Sequence, residues 1–261
     1  MDETNRFALM VDVLTELAEE EQAHQTAPAP GLPTLRSVIA DVSPLPRDAI
    51  FLGLAEDGLS ILLNLNDPIP GPILICGDQA SGKTALLQII ARAVELLHDP
   101  SDVQSATITQ YPDEWKKFQD NENSVGIYTT QENTTQELLQ SLFTWAHNNK
   151  GDGQFILLLI DDLEALTKLD LQTQQNLRWL LLRGPSRRVW PIVTINASHA
   201  HNIEEWLAFF RTRLFGSIHE ARDAQLVTGR SNEFLEQLIT GSQFTMREGN
   251  NWLKFWMPTI E

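Results

Sequence analysis

Eight consecutive residues have the types and the spacing of a phosphate-binding loop. They match the pattern G-x-x-x-x-G-K-[ST] and are Gly77, Asp78, Gln79, Ala80, Ser81, Gly82, Lys83 and Thr84. In this pattern the glycines let the backbone turn so that its N–H groups point at phosphate oxygens. The lysine reaches the β- and γ-phosphates of a nucleotide, and the hydroxyl of the last residue holds Mg²⁺. The loop therefore predicts a site for ATP and Mg²⁺.

A pair of carboxylates supplies the second element that a magnesium nucleotide needs. Asp161 and Asp162 end the apolar run FILLLIDD at 155–162. Such a run is typical of a strand buried on both faces of a parallel sheet. We expect Asp161 to hold Mg²⁺ together with Thr84, and Asp162 to orient the attacking water.

Another polar residue ends the apolar run PIVTIN at 191–196. Asn196 is placed to sense the γ-phosphate, and its side chain is equally suited to capping the turn that follows. His199 and His201 lie just beyond it. Two histidines without a third ligand are weak evidence for a metal site, so we interpret them as polar groups of a loop. Pro191 is expected at the first position of its strand, because a proline in the middle would remove a ladder hydrogen bond.

Strands and helices must position these polar residues, and the sequence predicts that the two alternate. A buried strand at 72–76 precedes the glycine-rich loop, and a helix at 84–98 follows it. Further strands are predicted at 106–110 and Ser124–Thr129, and a further helix at 170–183. This alternation predicts an α/β fold with a mainly parallel sheet and helices on both faces.

Two hairpins flank the alternating elements. Asp57 and Gly58 lie between two apolar runs ahead of the glycine-rich loop, which is a hairpin signal. The segment QFTMREGNNWLKFWMP predicts a second hairpin. The domain that contains all these elements is predicted at 45–261. Residues 1–25 predict an amphipathic helix, and 26–44 a proline-rich linker because the prolines forbid a helix.

The composition limits the partners and the compartment of the protein. The chain has 261 residues and a net charge of −16, with 35 acidic and 19 basic residues. Because binding nucleic acid requires a positive face, the charge favours protein partners over duplex DNA. No apolar run approaches the ~20 residues of a membrane helix, and the N-terminus lacks the basic region of a signal peptide. With a single cysteine, Cys76, we expect a soluble cytoplasmic protein without membrane insertion.

The order of the elements resembles the FtsK/SpoIIIE and HerA group of P-loop ATPases. The resemblance covers about residues 48–258 and includes the Walker A loop at 77–84, ITQYP, the Walker B segment LLLIDD, TINAS and both hairpins. It implies a RecA-like core that hydrolyses ATP at the subunit interfaces of a ring, usually a hexamer. It also implies an arginine from the neighbouring subunit, for which Arg188 and Arg213 are candidates, although both equally fit a solvated surface. Members of the group move double-stranded DNA or, in secretion relatives, proteins.

Two positions depart from the pattern of that group. The group usually has Asp-Glu where this sequence has Asp161 and Asp162, and Gln where it has Asn196. Each change removes one methylene from a group that would face the γ-phosphate, and a displacement of about 1 Å can cost ~100-fold in rate. Either both substitutions contract the site together, or hydrolysis is slow. Glu164 is a candidate substitute for the missing glutamate, but it lies past the strand end.

Two functional hypotheses follow from these features. In the first, the protein is a ring-forming ATPase that binds Mg-ATP and couples its turnover to the movement or gating of a DNA or protein partner. In the second, it is a scaffold or switch subunit that binds nucleotide with little turnover. A hydrolysis rate that rises with protein concentration would favour the first.

Overall fold

One mixed sheet organises the residues that this computed structural model describes, which are 33–149, 153–230, 234–248 and 251–260. Its strands are β1 (Ala49–Ala55), β2 (Ser60–Asn64), β3 (Ile73–Gly77), β4 (Val103–Thr109), β5 (Ser124–Thr129), β6 (Phe155–Asp161), β7 (Val189–Asn196), β8 (Thr212–Phe215), β9 (Gln243–Glu248) and β10 (Asn251–Trp256). The helices are α1 (Leu35–Val42), α2 (Lys83–Leu97), α3 (Asn133–Asn148), α4 (Leu163–Leu166), α5 (Leu171–Arg183), α6 (Glu204–Leu207) and α7 (Ala221–Thr228). Short 3-10 turns are Pro112–Phe118, Pro185–Arg187, Ala197–Ile203 and Phe234–Gln237.

The sheet is parallel over its larger part. Across it the strands follow the order β2-β1-β10-β9-β8-β3-β7-β6-β4-β5. The strands from β8 to β5 are parallel to one another, whereas β2, β1, β10 and β9 join antiparallel. The prediction of a mainly parallel α/β sheet with two hairpins is confirmed. The second hairpin, β9–β10, lies inside the sheet between β1 and β8.

Helices cover both faces of the sheet. Successive side chains of a strand point to opposite sides, so a central strand has apolar side chains to bury on each face. On one face Leu157 and Leu159 of β6 pack with α1 and α2, and on the other face Leu158 and Ile160 pack with α3 and α5. All four side chains are fully buried. This burial on two sides explains the continuous apolar run of β6, and it anchors the strand whose end carries the two aspartates.

Helix α1 corrects the predicted domain boundary. It lies inside the segment 26–44 that the sequence predicts to be a linker, and its N-cap Thr34 accepts a hydrogen bond from the backbone N–H of Ser37. Its buried residues share one helical face and join the core; they are Leu35, Val38 and Ile39. The linker prediction is therefore wrong for the helix, and the compact unit begins at Thr34 instead of residue 45. The helix predicted at 1–25 lies outside the described residues.

Strand β7 begins at Val189, so the prediction that Pro191 is its first residue is wrong. Alternate residues of a strand point to opposite neighbours, and the carbonyl of Arg188 points to β6. The nitrogen of Pro191 therefore points toward β3, whose pairing with β7 starts only at Ile73 opposite Ile192. No ladder hydrogen bond is lost there, which is why the proline is tolerated inside the strand.

Two structural features relate to the predicted compartment: the burial of the single cysteine, and the length and apolarity of the helices. Cys76 is buried in β3, and burial raises the pKa of its thiol to about 12. Its sulfur therefore packs as an apolar core atom and is not a nucleophile. In the part of the chain that the structure describes, no helix combines the length and the apolarity needed to cross a bilayer.

The carboxyl ends of the parallel strands bring the polar residues of the sequence patterns together. Gly77 at the end of β3 lies opposite Asn196 at the end of β7. Asp161 at the end of β6 lies opposite Thr109 at the end of β4. In open α/β sheets ligands bind at this edge, so the fold places all three polar segments where a ligand is expected.

Candidate nucleotide site

The loop between β3 and α2 has a backbone that requires its glycines. The φ angles of Gly82 (94°) and Ala80 (63°) lie in the left-handed region, which glycine adopts most easily. A Cβ on Gly77 would lie 2.3 Å from Ser81 Oγ, and one on Gly82 would lie 3.0 Å from the Cα of Gly241. The loop thus turns tightly on itself and packs against the residue that leads into β9. The predicted order of strand, turn and helix is present.

Lys83 turns its ammonium group back onto its own loop. Its Nζ atom donates hydrogen bonds to the carbonyl oxygens of Gly77, at 3.0 Å, and of Asp78, at 2.5 Å. Burial lowers the pKa of Lys83, and the charge of Asp161 is among the effects that oppose this shift. Because the N-terminus of α2 lies beside this ammonium, the loop concentrates positive charge where a phosphate would bind.

Asp78 ties the loop to the segment that follows β8. Its backbone N–H donates to the carbonyl of Ser217 at 2.9 Å. Its Oδ2 accepts a hydrogen bond from the backbone N–H of His219 at 2.9 Å and lies 2.8 Å from His219 Nδ1. Sequence reasoning missed His219, because nothing in its local pattern indicates contact with a residue 141 positions away.

Thr84 and Asp161 meet at the edge of the sheet although they lie 77 residues apart. The Thr84 Oγ1 atom lies 3.1 Å from Asp161 Oδ1 and 3.0 Å from Oδ2. Asp161 is 7% exposed, and burial raises its pKa against the hydrogen bonds from Thr194 and Thr84. A hydroxyl beside a carboxylate suits Mg²⁺, which prefers oxygen ligands and keeps several waters.

Two residues beside Asp161 were not singled out in the sequence. The Thr194 hydroxyl donates to Asp161 Oδ1 at 3.0 Å and accepts a hydrogen bond from the backbone N–H of Asp162 at 2.8 Å. The buried indole of Trp115 lowers the pKa of the same carboxyl, but its N–H reaches no acceptor among the described residues at normal hydrogen-bond geometry. The one sequence signal for Thr194 was a hydroxyl in an otherwise apolar strand.

Asp162 has an unusual backbone and a carboxylate with a partner on each oxygen. Its φ is 84° and its ψ is 93°, a region that few residues other than glycine adopt. Its Oδ1 accepts from the backbone N–H of Glu164 at 3.0 Å, which caps α4, and its Oδ2 accepts from Gln110 Nε2 at 2.7 Å. Burial raises the pKa of Asp162. Gln110 was not singled out in the sequence.

Glu164, the candidate substitute for a missing glutamate, is engaged in a network of its own. Its Oε1 accepts from Lys168 Nζ at 2.9 Å and from Asn202 Nδ2 at 3.2 Å, and its Oε2 lies 2.8 Å from His199 Nδ1. The hydrogen bond from Lys168 lowers the pKa of Glu164. The network joins α4 to the turn after β7, so Glu164 and His199 act here as structural polar groups.

Asn196 caps the turn that follows β7. Its Oδ1 accepts from the backbone N–H of Ser198 at 3.4 Å and from the Ser198 hydroxyl at 3.2 Å. Of the two roles open in the sequence, capping is therefore present in the structure. The same residue lies beside Gly77 in the sheet, next to the glycine-rich loop.

The two candidate arginines have partners within their own chain. Arg213 donates to the main-chain carbonyls of Phe210 at 3.1 Å, Leu207 at 2.7 Å and Val227. This is a structural role, so the geometry disfavours Arg213 as an arginine offered to a neighbouring subunit. Arg188 donates to the carbonyl of Gly153 at 2.7 Å. It precedes β7 and therefore lies at the edge of the sheet opposite the glycine-rich loop.

Without Mg²⁺, we expect Asp161→Asn to raise the free energy of unfolding at pH 7 by about 1 to 2 kcal/mol. Burial raises the pKa of Asp161 in the folded state, so the charged carboxylate lowers stability above that pKa, and the amide removes this cost. This increase in the free energy of unfolding should disappear as the pH falls below the pKa of Asp161 in the unfolded state. Below that pH the carboxyl is protonated in both the folded and the unfolded protein. Urea unfolding in EDTA measures this free energy.

The exposed Asp113 offers the matched control. Asp113→Asn should leave the unfolding free energy within about 0.5 kcal/mol of the wild-type value. Destabilisation by Asp161→Asn in EDTA at pH 7 would contradict this account of the buried charge.

Comparison with known proteins supports the fold. No protein-family model matches the sequence, and no curated protein matches it either. Among solved structures, EccC (ATPases 2 and 3) of Thermomonospora curvata, in complex with a signal sequence peptide, matches with a TM-score of 0.70 and 15% identity. The match covers 88% of this chain and 43% of EccC. The chain has the fold of an FtsK-like P-loop ATPase.

Two further structures share this FtsK-like fold. The pCW3 conjugation coupling protein TcpA, a monomer form with ATPγS, matches with a TM-score of 0.61 and 15% identity over 88% of this chain and 70% of TcpA. The genome packaging NTPase B204 of Sulfolobus turreted icosahedral virus 2, in complex with AMPPCP, matches with a TM-score of 0.51 and 13% identity. That match covers 74% of this chain and 100% of B204. The chain spans between 28% and 54% of the length of the EccC and EssC structures that it matches.

Proposed function

We propose that the protein is a P-loop ATPase that binds Mg-ATP at residues 77–84. The observation that carries this proposal is the contact of Thr84 Oγ1 with both oxygens of Asp161, at 3.1 and 3.0 Å. This contact brings together a hydroxyl and a carboxylate, which are ligands suited to Mg²⁺. Both lie beside the ammonium of Lys83. TcpA with ATPγS and B204 with AMPPCP are nucleotide complexes of the same fold, which supports the proposal.

Each residue of the site has a role in this proposal. Lys83 and the backbone N–H groups of the loop bind the phosphates, and Thr84 with Asp161 holds Mg²⁺. Bound Mg²⁺ would neutralise charge on the phosphates. Asp162 orients the attacking water. Asn196 contacts the γ-phosphate, and its hydrogen bonds to Ser198 report the nucleotide state to the turn that follows.

We further propose that the protein forms a homo-oligomeric ring in the cytoplasm and moves or gates a partner. The net charge of −16 favours a protein partner over duplex DNA. EccC was solved with a signal sequence peptide, and TcpA is a conjugation coupling protein. Both candidate arginines donate to main-chain carbonyls of their own chain. We propose Arg188 for the arginine that completes a neighbouring site, because it lies at the edge of the sheet away from the glycine-rich loop of its own chain.

One observation favours the second candidate function, a switch or scaffold with little turnover. Both oxygens of the Asp162 carboxylate have partners, Gln110 Nε2 at 2.7 Å and the backbone N–H of Glu164 at 3.0 Å. A carboxylate held in this way is less free to accept the proton of a water molecule. The protein would then respond to nucleotide through binding alone, without depending on hydrolysis.

Three measurements on the wild-type protein test these proposals together. Calorimetric titration with ATP should show binding that strengthens with Mg²⁺, and absence of binding would refute the proposed function. A hydrolysis rate per chain that rises with protein concentration, together with a larger mass by light scattering, supports the ring ATPase. Binding without turnover supports the switch. Repeating the hydrolysis and light-scattering measurements with duplex DNA distinguishes a DNA partner from a protein partner.

A further inference from the structure

We propose that Thr194 is the positioning residue that fixes the two aspartates of the site relative to each other and thereby sets its affinity for Mg²⁺. This inference rests on the proposed function, because Asp161 is the proposed metal ligand. Thr194 lies in β7, the strand between β6 and β3, so it stands between the aspartates and the loop at 77–84.

The hydrogen bonds of Thr194 have a defined direction. The backbone N–H of Asp162 donates to Thr194 Oγ1 at 2.8 Å, so the threonine oxygen accepts there. A hydroxyl has one proton, and this proton is left for Asp161 Oδ1, which lies 3.0 Å away. One hydroxyl therefore links the carboxylate of the first aspartate to the backbone of the second.

The first of these bonds orients the carboxylate of Asp161. That carboxylate also contacts the Thr84 hydroxyl through both of its oxygens, and the bond from Thr194 adds a second restraint on Oδ1 from the neighbouring strand. Thr194 is 2% exposed, and water does not compete for a bond at that depth. Partners of this kind commonly change metal affinity 10- to 100-fold because they fix the orientation of the ligand.

The second bond holds a strained backbone. Asp162 has a φ of 84°, and a residue with a Cβ keeps such a conformation only where its surroundings enforce it. The bond from its N–H to Thr194 supplies that restraint at the point where the chain leaves β6. Gln110 donates a hydrogen bond to Asp162, and Trp115 affects the carboxyl of Asp161. Among the described residues, Thr194 alone is seen to contact both aspartates through its side chain.

The test uses Thr194→Val, which removes the hydroxyl and keeps the shape of the side chain. A fluorescent ADP analogue is titrated with Mg²⁺ at fixed nucleotide concentration. We expect the Mg²⁺ concentration for half-maximal binding to rise about 10-fold, with nucleotide binding in EDTA unchanged. Thr194→Ser keeps the hydroxyl and should restore the wild-type Mg²⁺ dependence. Thr194→Ala provides a second deletion with the same expected shift if the valine variant does not fold.

Thr245→Val is the matched control. Thr245 is a fully buried strand threonine in β9 whose hydroxyl donates to the carbonyl of Leu253 at 3.0 Å. Loss of the Thr245 hydroxyl should lower the melting temperature as Thr194→Val does. It should leave the Mg²⁺ dependence of nucleotide binding at the wild-type value. Equal Mg²⁺ dependence in wild type and both Thr194 deletions would overturn the inference and leave the proposed function standing. A wild-type protein whose nucleotide binding ignores Mg²⁺ would overturn both.

Discussion

Replacing Lys83 with alanine should lower the affinity for ATP by ~100-fold or more while the fold stays intact. The ammonium lies against the carbonyls of Gly77 and Asp78, within the loop whose N–H groups would hold the phosphates. Hydrogen bonds from a charged donor to phosphate are about twice as strong as neutral ones. The loop at 77–84 contains no second lysine that could take over this role.

The folded state should tolerate this change. Burial lowers the pKa of Lys83, so removing the ammonium also removes the cost of burying a charge. Calorimetric titration with ATP and Mg²⁺ measures the affinity, and the melting temperature without nucleotide checks the fold. Lys116→Ala, at an exposed lysine, is the control and should bind ATP as the wild type does. If Lys83→Ala binds ATP equally well, the loop is not the nucleotide site.

Replacing Asp162 with alanine should lower the turnover of a working ATPase by ~100-fold and change ATP affinity little, because a water-orienting carboxylate acts mainly on the chemical step. Asp162→Glu should also slow turnover. Gln110 and the N–H of Glu164 hold the carboxylate at 2.7 and 3.0 Å, and a longer side chain carries the carboxylate away from both. This is the result expected if the site is contracted around the short aspartate.

Steady-state hydrolysis and ATP titration on the same samples measure these two effects separately. Asp120→Ala, at an exposed aspartate, is the control and should turn over at the wild-type rate. Wild-type turnover close to zero, with no further loss in Asp162→Ala, would favour the switch over the motor. Faster turnover in Asp162→Glu would show that the site is not contracted and that its shorter carboxylate limits the rate.

Local sequence patterns were sufficient to predict the parts of the site that lie within one segment. The spacing of Gly77, Gly82 and Lys83 encodes a turn that few other residues allow, and the run before Asp161 encodes a strand buried on both faces. Both elements are present in the structure. Alternating strands and helices also predicted the parallel sheet, since the crossover connections leave few other arrangements.

The parts that the sequence did not reveal depend on register and on distant contacts. Thr194 reaches Asp161 because β6 and β7 are adjacent in the sheet at a particular alignment, and no local pattern encodes that alignment. The partner of Asp78 is His219, which follows a strand distant in the chain. The role of Arg213 depends on main-chain carbonyls, which every residue carries and which therefore leave no signature.

The boundary error at α1 has a simpler cause. Prolines ahead of the helix gave a strong linker signal up to Thr34, but the helix that follows contains no proline. Its short apolar face, Leu35, Val38 and Ile39, was too brief to stand out beside that signal. The burial of this face against the sheet core is what holds the helix in place, since eight residues are too few for a stable isolated helix.

The place of the β9–β10 hairpin inside the sheet has a consequence for biosynthesis. A ribosome makes β1 and β2 early, yet within the sheet they join the parallel strands only through this later hairpin. A lone two-stranded hairpin is marginal in water, so until β10 is made the early strands depend on packing in the same core as α2 and lack one strand partner. Gly241, which leads into the hairpin, also packs on Gly82. The contacts of the loop at 77–84 with Gly241 therefore form only after this late part of the chain is made, and ATP binding at the proposed site would report that step.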